Sequence, residues 1–278
     1  MSQDINLRTT FNKVAKLYDL ARPHYPEELF YSVVKIAKLR GTAKLLEIGP
    51  GTGQATEPFA KRGYKITAVE ISPALAKIAK KNLAKFKNVK IITKALENTK
   101  LPANSFDLVY AATSYHWLKP KAKFAKPHRL LKKGGHLAII GTNHVSDEKG
   151  DKFFFASEAI YKKYRAGGEY DDNFRLSPAI KLKAHEVDKK FFTPVFFRAF
   201  PLVIQYSSKK YSQLLNTFSP TLAMEPKKRA GFLKEIEKLI DKKFGGNLEH
   251  HFAMTLTIAK KKLFLASSQS LLGTETKK

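Results

Sequence analysis

The chain has 278 residues, of which 43% are hydrophobic and 12% aromatic, so it can bury a full core and is typical of a folded protein. Fifty-one Lys and Arg residues oppose 24 Asp and Glu residues, which gives a formal net charge of +27. Cysteine is absent, and its absence excludes disulfides, thiolate nucleophiles and Cys-ligated zinc.

The strongly basic charge would attract polyanions such as nucleic acid as well as anionic small molecules. The lysines are scattered through helical and loop stretches such as residues 76–90, without an aromatic-interleaved RNA-binding tract. This distribution favours a solvated, lysine-rich surface over a nucleic-acid groove. The amino-terminal residues lack the apolar core of a signal peptide, and no apolar stretch reaches membrane-spanning length. We therefore expect a cytoplasmic protein, monomeric or homodimeric, without membrane association.

In chain order, residues 1–40 predict a helical cap that Pro23 and Pro26 divide into two segments, because proline removes an amide donor. Residues 41–142 alternate between short apolar runs and helical stretches, and they predict a cofactor-binding core. The predicted strands are 44–49, 65–71, 89–95, 105–113 and 136–142, and the predicted helices are 56–63, 73–86 and 123–135. Strands separated by helices predict a doubly wound, mostly parallel α/β sheet.

The pattern changes after the fifth predicted strand, where residues 143–194 predict an aromatic-rich helical insert or lid. Residues 195–262 contain two strand candidates, near 196–206 and 251–259, which we expect to pair as a hairpin-like edge on the sheet and complete it. Residues 263–278 predict a frayed tail. The whole chain, 1–278, is predicted to form a single domain.

The segment LLEIGPGTGQAT, residues 45–56, has glycine at Gly49, Gly51 and Gly53 directly after the first predicted strand. A strand that leads through a glycine-rich turn into a helix presents backbone amides to a polar ligand. A dinucleotide loop would need its third glycine where Gln54 stands, and a Walker loop would need a Lys followed by Ser or Thr. The spacing therefore predicts a nucleoside-type ligand without a long phosphate chain.

Two carboxylates accompany this loop, since Glu47 lies inside the first predicted strand and Glu70 ends the second. A buried carboxylate needs amide donors or a cationic ligand. An acidic residue at the end of the second strand is placed to accept hydrogen bonds from ribose hydroxyls. Because the carboxyl ends of adjacent parallel strands meet at one edge, we expect both carboxylates to converge with the loop.

Four segments in residues 44–141 resemble, in order and spacing, the motifs of class I S-adenosylmethionine-dependent methyltransferases. They are LLEIGPGTGQAT, AVEISPALAKIAKKNL, ALENTKLPANSFDLVYAATSYHWL and HRLLKKGGHLAII. The opening FNKVAKLYDLARPHYP resembles the helical lead-in of the small-molecule branch, and TSYHWL resembles a sub-branch that includes trans-aconitate-type carboxylate methyltransferases. The resemblance implies a Rossmann-like, mostly parallel seven-stranded sheet with an antiparallel edge strand, and S-adenosyl-L-methionine as cofactor.

The same resemblance assigns roles around the cofactor. Glu47 and the loop glycines would shape the methionine and ribose pocket, and Glu70 would take the ribose hydroxyls. Ala95 and Leu96 stand where a common pattern has an Asp and a small residue, so the adenine contact would fall to backbone groups or to Glu97. The cofactor residues that the resemblance implies are Tyr18, Arg22, Glu47, Gly49, Gly51, Gly53, Glu70, Ile71, Leu96, Glu97, Ala112 and Thr113.

Tyr115, His116 and Trp117 follow the fourth predicted strand, on the expected acceptor side. His116 would act as a general base or as a cation that steers an anionic acceptor; alternatively it is a structural histidine beside a core tryptophan. His24 and Tyr25 would line the acceptor pocket from the amino-terminal side, or they only separate two helices.

Two further groups of residues are open to more than one interpretation. The aromatic residues of the insert would roof the pocket or pack as a lid helix; they are Phe153, Phe154, Phe155, Tyr161 and Tyr164. The adjacent His250 and His251 fall in a strand candidate and would point to opposite faces, so no metal site is expected.

The leading hypothesis is methyl transfer, most plausibly to oxygen, on a small anionic or hydrophobic acid. One alternative is an RNA or DNA methyltransferase that uses the basic surface. The segment AATSYHW differs from the Asn/Asp-Pro-Pro-aromatic string of amino-directed base methyltransferases, which favours the small-molecule acceptor. A second alternative is a cofactor-binding scaffold that performs no chemistry.

Overall fold

The computed structural model describes residues 11–146, 152–164 and 181–263. Seven strands form one sheet in the order β3-β2-β1-β4-β5-β7-β6. The strands are β1 (Lys44–Ile48), β2 (Lys65–Glu70), β3 (Val89–Thr93), β4 (Phe106–Ala112), β5 (Leu131–His144), β6 (Phe192–Ser207) and β7 (Asn247–Lys261). Only β7 runs against its neighbours β5 and β6, next to the sheet edge. The predicted Rossmann-like, mostly parallel seven-stranded sheet is confirmed.

The helices cover the two faces and the carboxyl edge of this sheet. They are α1 (Ala15–Ala21), α2 (Glu27–Ile36), α3 (Thr56–Lys61), α4 (Pro73–Asn82), α5 (Pro120–Lys123), α6 (Ala125–Leu130), α7 (Lys152–Tyr164), α8 (Ser208–Leu215), α9 (Ser219–Leu222) and α10 (Pro226–Lys243). Proline at the first turn of α4 is compatible with a helix start, and the Ser72 hydroxyl caps it by accepting from the Leu75 amide at 3.1 Å.

Each face of the sheet has its own apolar core. On one face, Phe30 of α2 and Phe59 of α3 pack edge to face at 5.2 Å between ring centroids, and Phe59 contacts Tyr110 of β4. On the other face, Leu46 of β1 and Val109 of β4 belong to a cluster with residues of α6. Because both faces are covered, the parallel strands are nearly continuous in apolar residues.

The fifth strand begins earlier than the sequence pattern predicts. The sequence predicts a helix through residue 135, whereas α6 ends at Leu130 and β5 begins at Leu131, opposite Phe106 of β4. Gly134 has φ +77°, a conformation that favours glycine, and the β4–β5 register shifts between Phe106 and Leu108. The paired glycines therefore bend a strand here and do not end the helix.

The carboxyl-terminal strands pair as predicted, since β6 and β7 form a long antiparallel ladder from Phe192↔Lys261 to Ser207↔Asn247. The predicted insert contains α7, which packs against α10 through Tyr161 and Tyr164 on Phe232. The rest of that insert between 165 and 180, the first ten residues and nearly all of the predicted tail lie outside the described residues. The division of the chain into a cap, core and lid stays a prediction.

Candidate functional site

A cavity of about 760 Å³ lies at the carboxyl ends of β1, β2, β4 and β5. This is the edge at which open α/β sheets bind ligands, and the volume is within the range of small-molecule sites. Of the predicted cofactor residues, the cavity wall contains Tyr18, Arg22, Gly49, Gly51, Glu70, Ile71, Leu96, Ala112 and Thr113. The sequence-predicted residues therefore converge on one site although they span residues 18 to 113.

The glycine loop after β1 lies against the cavity with three residues in left-handed backbone conformations. Gly49 and Gly51 have φ +66° and +60°, and both line the cavity. A Cβ on Gly49 would lie 2.7 Å from the Cβ of Ser114, which is closer than side chains tolerate. Gly53, at φ +99°, lies behind the loop, where its Cβ would meet Leu83, the residue after α4, at 2.9 Å. Gly53 thus serves packing and is not on the cavity wall.

Glu70 ends β2 inside the cavity and fixes the loop. Its Oε2 accepts a hydrogen bond from the Gly51 amide at 3.0 Å, and its Oε1 accepts from the Ser72 amide at 2.8 Å. Glu70 is 4% exposed, and its carboxylate lies on the cavity wall. A buried, oriented carboxylate of this kind is a strong acceptor for paired hydroxyl donors.

Glu47 lies beneath the loop and not on the cavity wall. Its Oε2 accepts hydrogen bonds from the Thr56 hydroxyl at 2.6 Å and from the Tyr110 hydroxyl at 2.8 Å. Burial is the main cause that raises its pKa to about 7, against these two hydrogen bonds, which lower it. Its contribution to the site is to tie β1, β4 and the start of α3 together behind the glycines.

Arg22 follows α1 and borders the middle of the cavity. Its guanidinium lies 4.9 Å from the ring centroid of Tyr18 and 4.4 Å from that of Phe218, and its Nη2 donates to the Thr217 carbonyl at 2.9 Å. The Nε of Arg22 is buried and makes no hydrogen bond to any described residue. It is therefore a donor available to an anionic group bound in the cavity.

The predicted adenine side is formed by apolar residues. The apolar residues that line it are Val69, Ile71, Leu75 and Leu96. Glu97, by contrast, is not on the wall: its Oε1 accepts from the Lys119 amide at 3.2 Å, and its carbonyl accepts from Lys126 Nζ at 3.0 Å. The structure thus uses Glu97 to join the segment after β3 to the start of α5, instead of placing it on the adenine side.

Thr113 follows β4 with φ +53°, a region that β-branched residues rarely adopt. Its hydroxyl hydrogen bonds with the hydroxyl of Tyr25 at 3.1 Å and with that of Thr142 at 3.0 Å. Strain of this kind persists where surrounding contacts hold it, and it concentrates at functional sites. Tyr25 therefore acts from behind the wall, through Thr113, and does not line the acceptor space.

The segment Tyr115–Trp117 divides between the cavity and the core. His116 and Trp117 line the cavity with ring centroids 4.6 Å apart. Burial, followed by the charges of Lys123, His185 and Arg22, lowers the pKa of His116, so its imidazole is mostly neutral at neutral pH. Tyr115 does not reach the cavity, because its buried hydroxyl donates to the Lys123 carbonyl at 2.6 Å.

The structure does not place Tyr115 or His24, two predicted acceptor residues, on the cavity wall. The Tyr115 ring packs on Phe124 and His185, at 5.7 Å from each. His24 is exposed between α1 and α2 and is not part of the cavity wall. Its position reflects the turn that Pro23 and Pro26 impose, which is the alternative that the sequence left open.

The end of the cavity away from the glycine loop is built by residues that the sequence pattern did not single out as a group. They are Thr142, Asn143 and His144 at the end of β5; Phe154 and Tyr161 of α7; Leu182, which precedes β6; Tyr211 and Leu215 of α8; and Phe218, Ser219, Pro220 and Thr221 around α9. Of the insert aromatics, Phe153 packs in the core on Tyr211, and Phe155 is 50% exposed. Phe154 and Tyr161 line the cavity, so the roof interpretation of α7 stays a prediction that concerns these two residues.

This second end of the cavity is mainly aromatic and neutral. Phe154, Tyr161, Tyr211 and Phe218 form its apolar surface, and Thr142, Asn143 and His144 add a polar strip. Among the described wall residues, the formal charges are those of Arg22, Lys94 and Glu70, toward the glycine-loop end and the middle. The arrangement suits a polar, charged ligand at the glycine loop and an apolar one beyond it.

Comparison with known proteins identifies the family that the core of the chain resembles. Residues 46–139 match the methyltransferase domain family. The chain is similar to an uncharacterized methyltransferase of Mycobacterium bovis, with 28% identity over 135 residues, 49% of this chain and 53% of that protein. The match thus spans about half the length of that curated relative.

Two solved structures share the fold. A provisionally assigned type II methyltransferase of Anaeromyxobacter dehalogenans has a TM-score of 0.60 and 21% identity, over 86% of this chain and 96% of that one. A phosphoethanolamine N-methyltransferase of Haemonchus contortus, in complex with phosphomonomethylethanolamine and S-adenosylhomocysteine, has a TM-score of 0.50 and 15% identity, over 92% and 60%.

The fold, the ordered motifs and the matched family together define this core as a class I S-adenosylmethionine-dependent methyltransferase domain. The residues on the cavity wall have the chemical groups that such a cofactor requires. The left-handed glycines leave room for close backbone approach, Glu70 is an oriented acceptor for hydroxyls, and the buried Arg22 Nε is a donor without a partner among the described residues.

In residues 11–146, 152–164 and 181–263, none of the helices combines the length and hydropathy that a bilayer crossing requires. The same ranges contain no group of three or more His, Asp or Glu side chains arranged to hold a metal ion.

Proposed function

We propose that this protein transfers a methyl group from S-adenosylmethionine to a small, largely apolar molecule. The observation that carries the proposal is the continuity of the cavity, which extends from Gly49, Gly51 and Glu70 to the aromatic end around Phe154 and Tyr211. A cofactor at the first end and an acceptor at the second would then meet between Thr113 and His116.

S-adenosylmethionine, when bound, supplies an electrophilic methyl group on a sulfonium. Glu70 and the loop amides would hold the ribose, and Arg22 with Tyr18 would hold the charged amino-acid end. The chain's main task is to align the acceptor with that methyl group, since proximity and orientation supply much of the acceleration of such a transfer. The strained Thr113, held by Tyr25 and Thr142, would fix the backbone beside the reaction.

The aromatic end favours a hydrophobic acceptor with an oxygen nucleophile, such as a hydrophobic carboxylic acid. His116 would assist as a base, or by orienting the acceptor at the mouth of the cavity beside Trp117. A carboxylate is already ionised at neutral pH and needs no base. Because TSYHWL resembles the trans-aconitate-type sub-branch, trans-aconitate is one carboxylate acceptor to be tried.

The experiment is a transfer assay with S-adenosylmethionine that carries tritium on its methyl group. Product is counted separately in an organic extract, for apolar carboxylic acids and hydroxylated arenes, and in acid-precipitated bulk RNA. We expect extractable product with at least one apolar acceptor, and its loss in Glu70→Ala but not in Glu186→Ala, a change at an exposed residue outside the cavity. Incorporation into RNA alone would contradict the small-molecule proposal.

A further inference from the structure

His144 and His250 form a buried imidazole pair at the acceptor end of the cavity. Nδ1 of His144, at the end of β5, lies 2.6 Å from Nε2 of His250 on β7. This is a hydrogen-bond distance, so one proton is shared between the two rings. The rings lie at 66° to each other, with centroids 4.9 Å apart.

The pair stands between two cavities. His144 lines the large cavity. His250, which is 1% exposed, lines a second cavity of about 220 Å³, whose wall includes Lys152, Glu249 and His251. The hydrogen bond between the two rings uses Nδ1 of His144 and Nε2 of His250, and no hydrogen bond from the other nitrogen of either ring to a described residue is found. Each histidine therefore has one ring nitrogen engaged with the other histidine and one left for a cavity.

The surroundings keep both rings uncharged. Aromatic rings enclose the pair: Phe218 and Phe252 contact His144, and Phe154, Tyr206, Tyr211 and Phe252 contact His250. Burial, with a smaller effect of Arg22, lowers the pKa of His144 to about 4. Burial, then the charges of His144 and His251, lowers the pKa of His250 well below its ordinary value.

An apolar pair of residues would fill this aromatic cage without the cost of burying polar rings, so packing alone does not explain two histidines here. We propose that His144 accepts the proton of a hydroxyl group on the acceptor, and that His250 passes a proton on to the smaller cavity. This inference rests on the proposed function and narrows its substrate class to hydroxylated apolar molecules, above all hydroxylated arenes.

In this step the acceptor hydroxyl loses one proton and the histidine pair releases one. As the acceptor oxygen bonds to the methyl carbon, the carbon–sulfur electron pair stays on sulfur and the O–H bond breaks. The proton goes to Nε2 of His144, Nδ1 of His144 gives its proton to Nε2 of His250, and Nδ1 of His250 releases one into the smaller cavity. A weakly basic imidazole suffices, because the hydroxyl becomes strongly acidic only as its oxygen is alkylated.

The transfer test uses two phenols as probes. 4-Methylphenol keeps its proton at the assay pH, whereas 4-nitrophenol at pH about 8.5 is largely ionised and has no proton to lose. We expect His144→Gln to lower transfer to 4-methylphenol about 100-fold or more, and transfer to 4-nitrophenol less than about fivefold. His250→Phe should lower kcat for 4-methylphenol roughly tenfold at unchanged KM. His136→Gln is the matched control, because His136 lies on β5 like His144 but toward the opposite end of that strand.

The second readout is the state of the two rings by nitrogen-15 NMR on histidine-labelled protein, with and without S-adenosylhomocysteine. We expect both rings to stay neutral between pH 5.5 and 8, and the His144 Nδ1 signal to lose its hydrogen-bond shift in His250→Phe. Independent titration of both rings near pH 6.5, or equal losses for both phenols in His144→Gln, would overturn the relay.

If the wild-type protein methylates neither phenol, the proposal that its acceptors are hydroxylated arenes is refuted. Titration calorimetry with S-adenosylhomocysteine separates this outcome from failure of the proposed function. Binding without phenol turnover would leave methyl transfer to another acceptor standing, whereas no binding would refute methyl transfer itself.

Discussion

The Tyr110 hydroxyl of β4 donates a 2.8 Å hydrogen bond to Glu47 of β1, directly beneath the glycine loop. Both side chains are fully buried, and a second oxygen of Glu47 has no hydrogen-bond partner among the described residues. A carboxylate in this position is expensive to ionise, which explains why burial raises its pKa from 4.5 to about 7.

This relationship predicts a pH-dependent stability. Below pH 4.5 Glu47 is protonated both folded and unfolded, so it contributes no difference. Between pH 4.5 and about 7 only the folded state keeps the proton, and the free energy of unfolding falls as pH rises. Glu47→Gln should therefore be more stable than wild type at pH 8 by roughly 2–3 kcal/mol, and equal to it near pH 4.5.

Urea denaturation at the two pH values measures this difference. Glu237→Gln on α10, whose side chain is only half-buried, serves as the matched control for the same chemical substitution. A Glu47→Gln protein that is destabilised equally at both pH values would contradict the buried-carboxylate interpretation.

A second prediction concerns the glycine at the back of the loop. Gly53→Ala would place a Cβ 2.9 Å from Leu83 Cδ1 at φ +99°, so it should lower the free energy of unfolding by about 1–3 kcal/mol. Gly41→Ala is its control, because no atom lies within 4 Å of the added Cβ and its φ is not in the left-handed region. Thermal unfolding of both variants measures this difference in stability. Equal melting temperatures for Gly53→Ala and Gly41→Ala would contradict the prediction.

A third prediction separates the two ends of the cavity. Phe154 lines the acceptor end, whereas its neighbour Phe155 is 50% exposed on the same helix and is not on the cavity wall. Phe154→Ala should raise KM for an apolar acceptor about tenfold and leave S-adenosylhomocysteine affinity unchanged. Phe155→Ala should change neither quantity. Steady-state kinetics and calorimetry on both variants test this, and loss of cofactor affinity in Phe154→Ala would refute the two-ended site.

The cofactor end of the site could be predicted from sequence because its residues follow strands in a local pattern. Gly49 and Gly51 directly follow β1 and Glu70 ends β2, and parallel strands bring their carboxyl ends to one edge. The position of Glu97 off the cavity wall could not be predicted, for the opposite reason. Its distance from the cavity depends on hydrogen bonds to Lys119 and Lys126, which no local pattern encodes.

The acceptor end could not be predicted, because its parts come from distant segments. His144 and His250 meet only because β5 and β7 pair antiparallel, 106 residues apart in the chain. The sequence pattern predicted that β6 and β7 would pair, but it contained no information on which strand β7 would join on its other side. Side-chain packing across that pairing decides which rings face the cavity.

The most direct test of the account is titration calorimetry of S-adenosylmethionine and S-adenosylhomocysteine with wild type, Glu70→Ala and the exposed-site control Glu186→Ala. We expect binding by wild type and the control, and about tenfold or greater weakening in Glu70→Ala, since a charged hydrogen-bond acceptor contributes about 1.5–3 kcal/mol. Absence of binding in all three proteins, or equal affinity in all three, would contradict the placement of the cofactor on the glycine loop and Glu70.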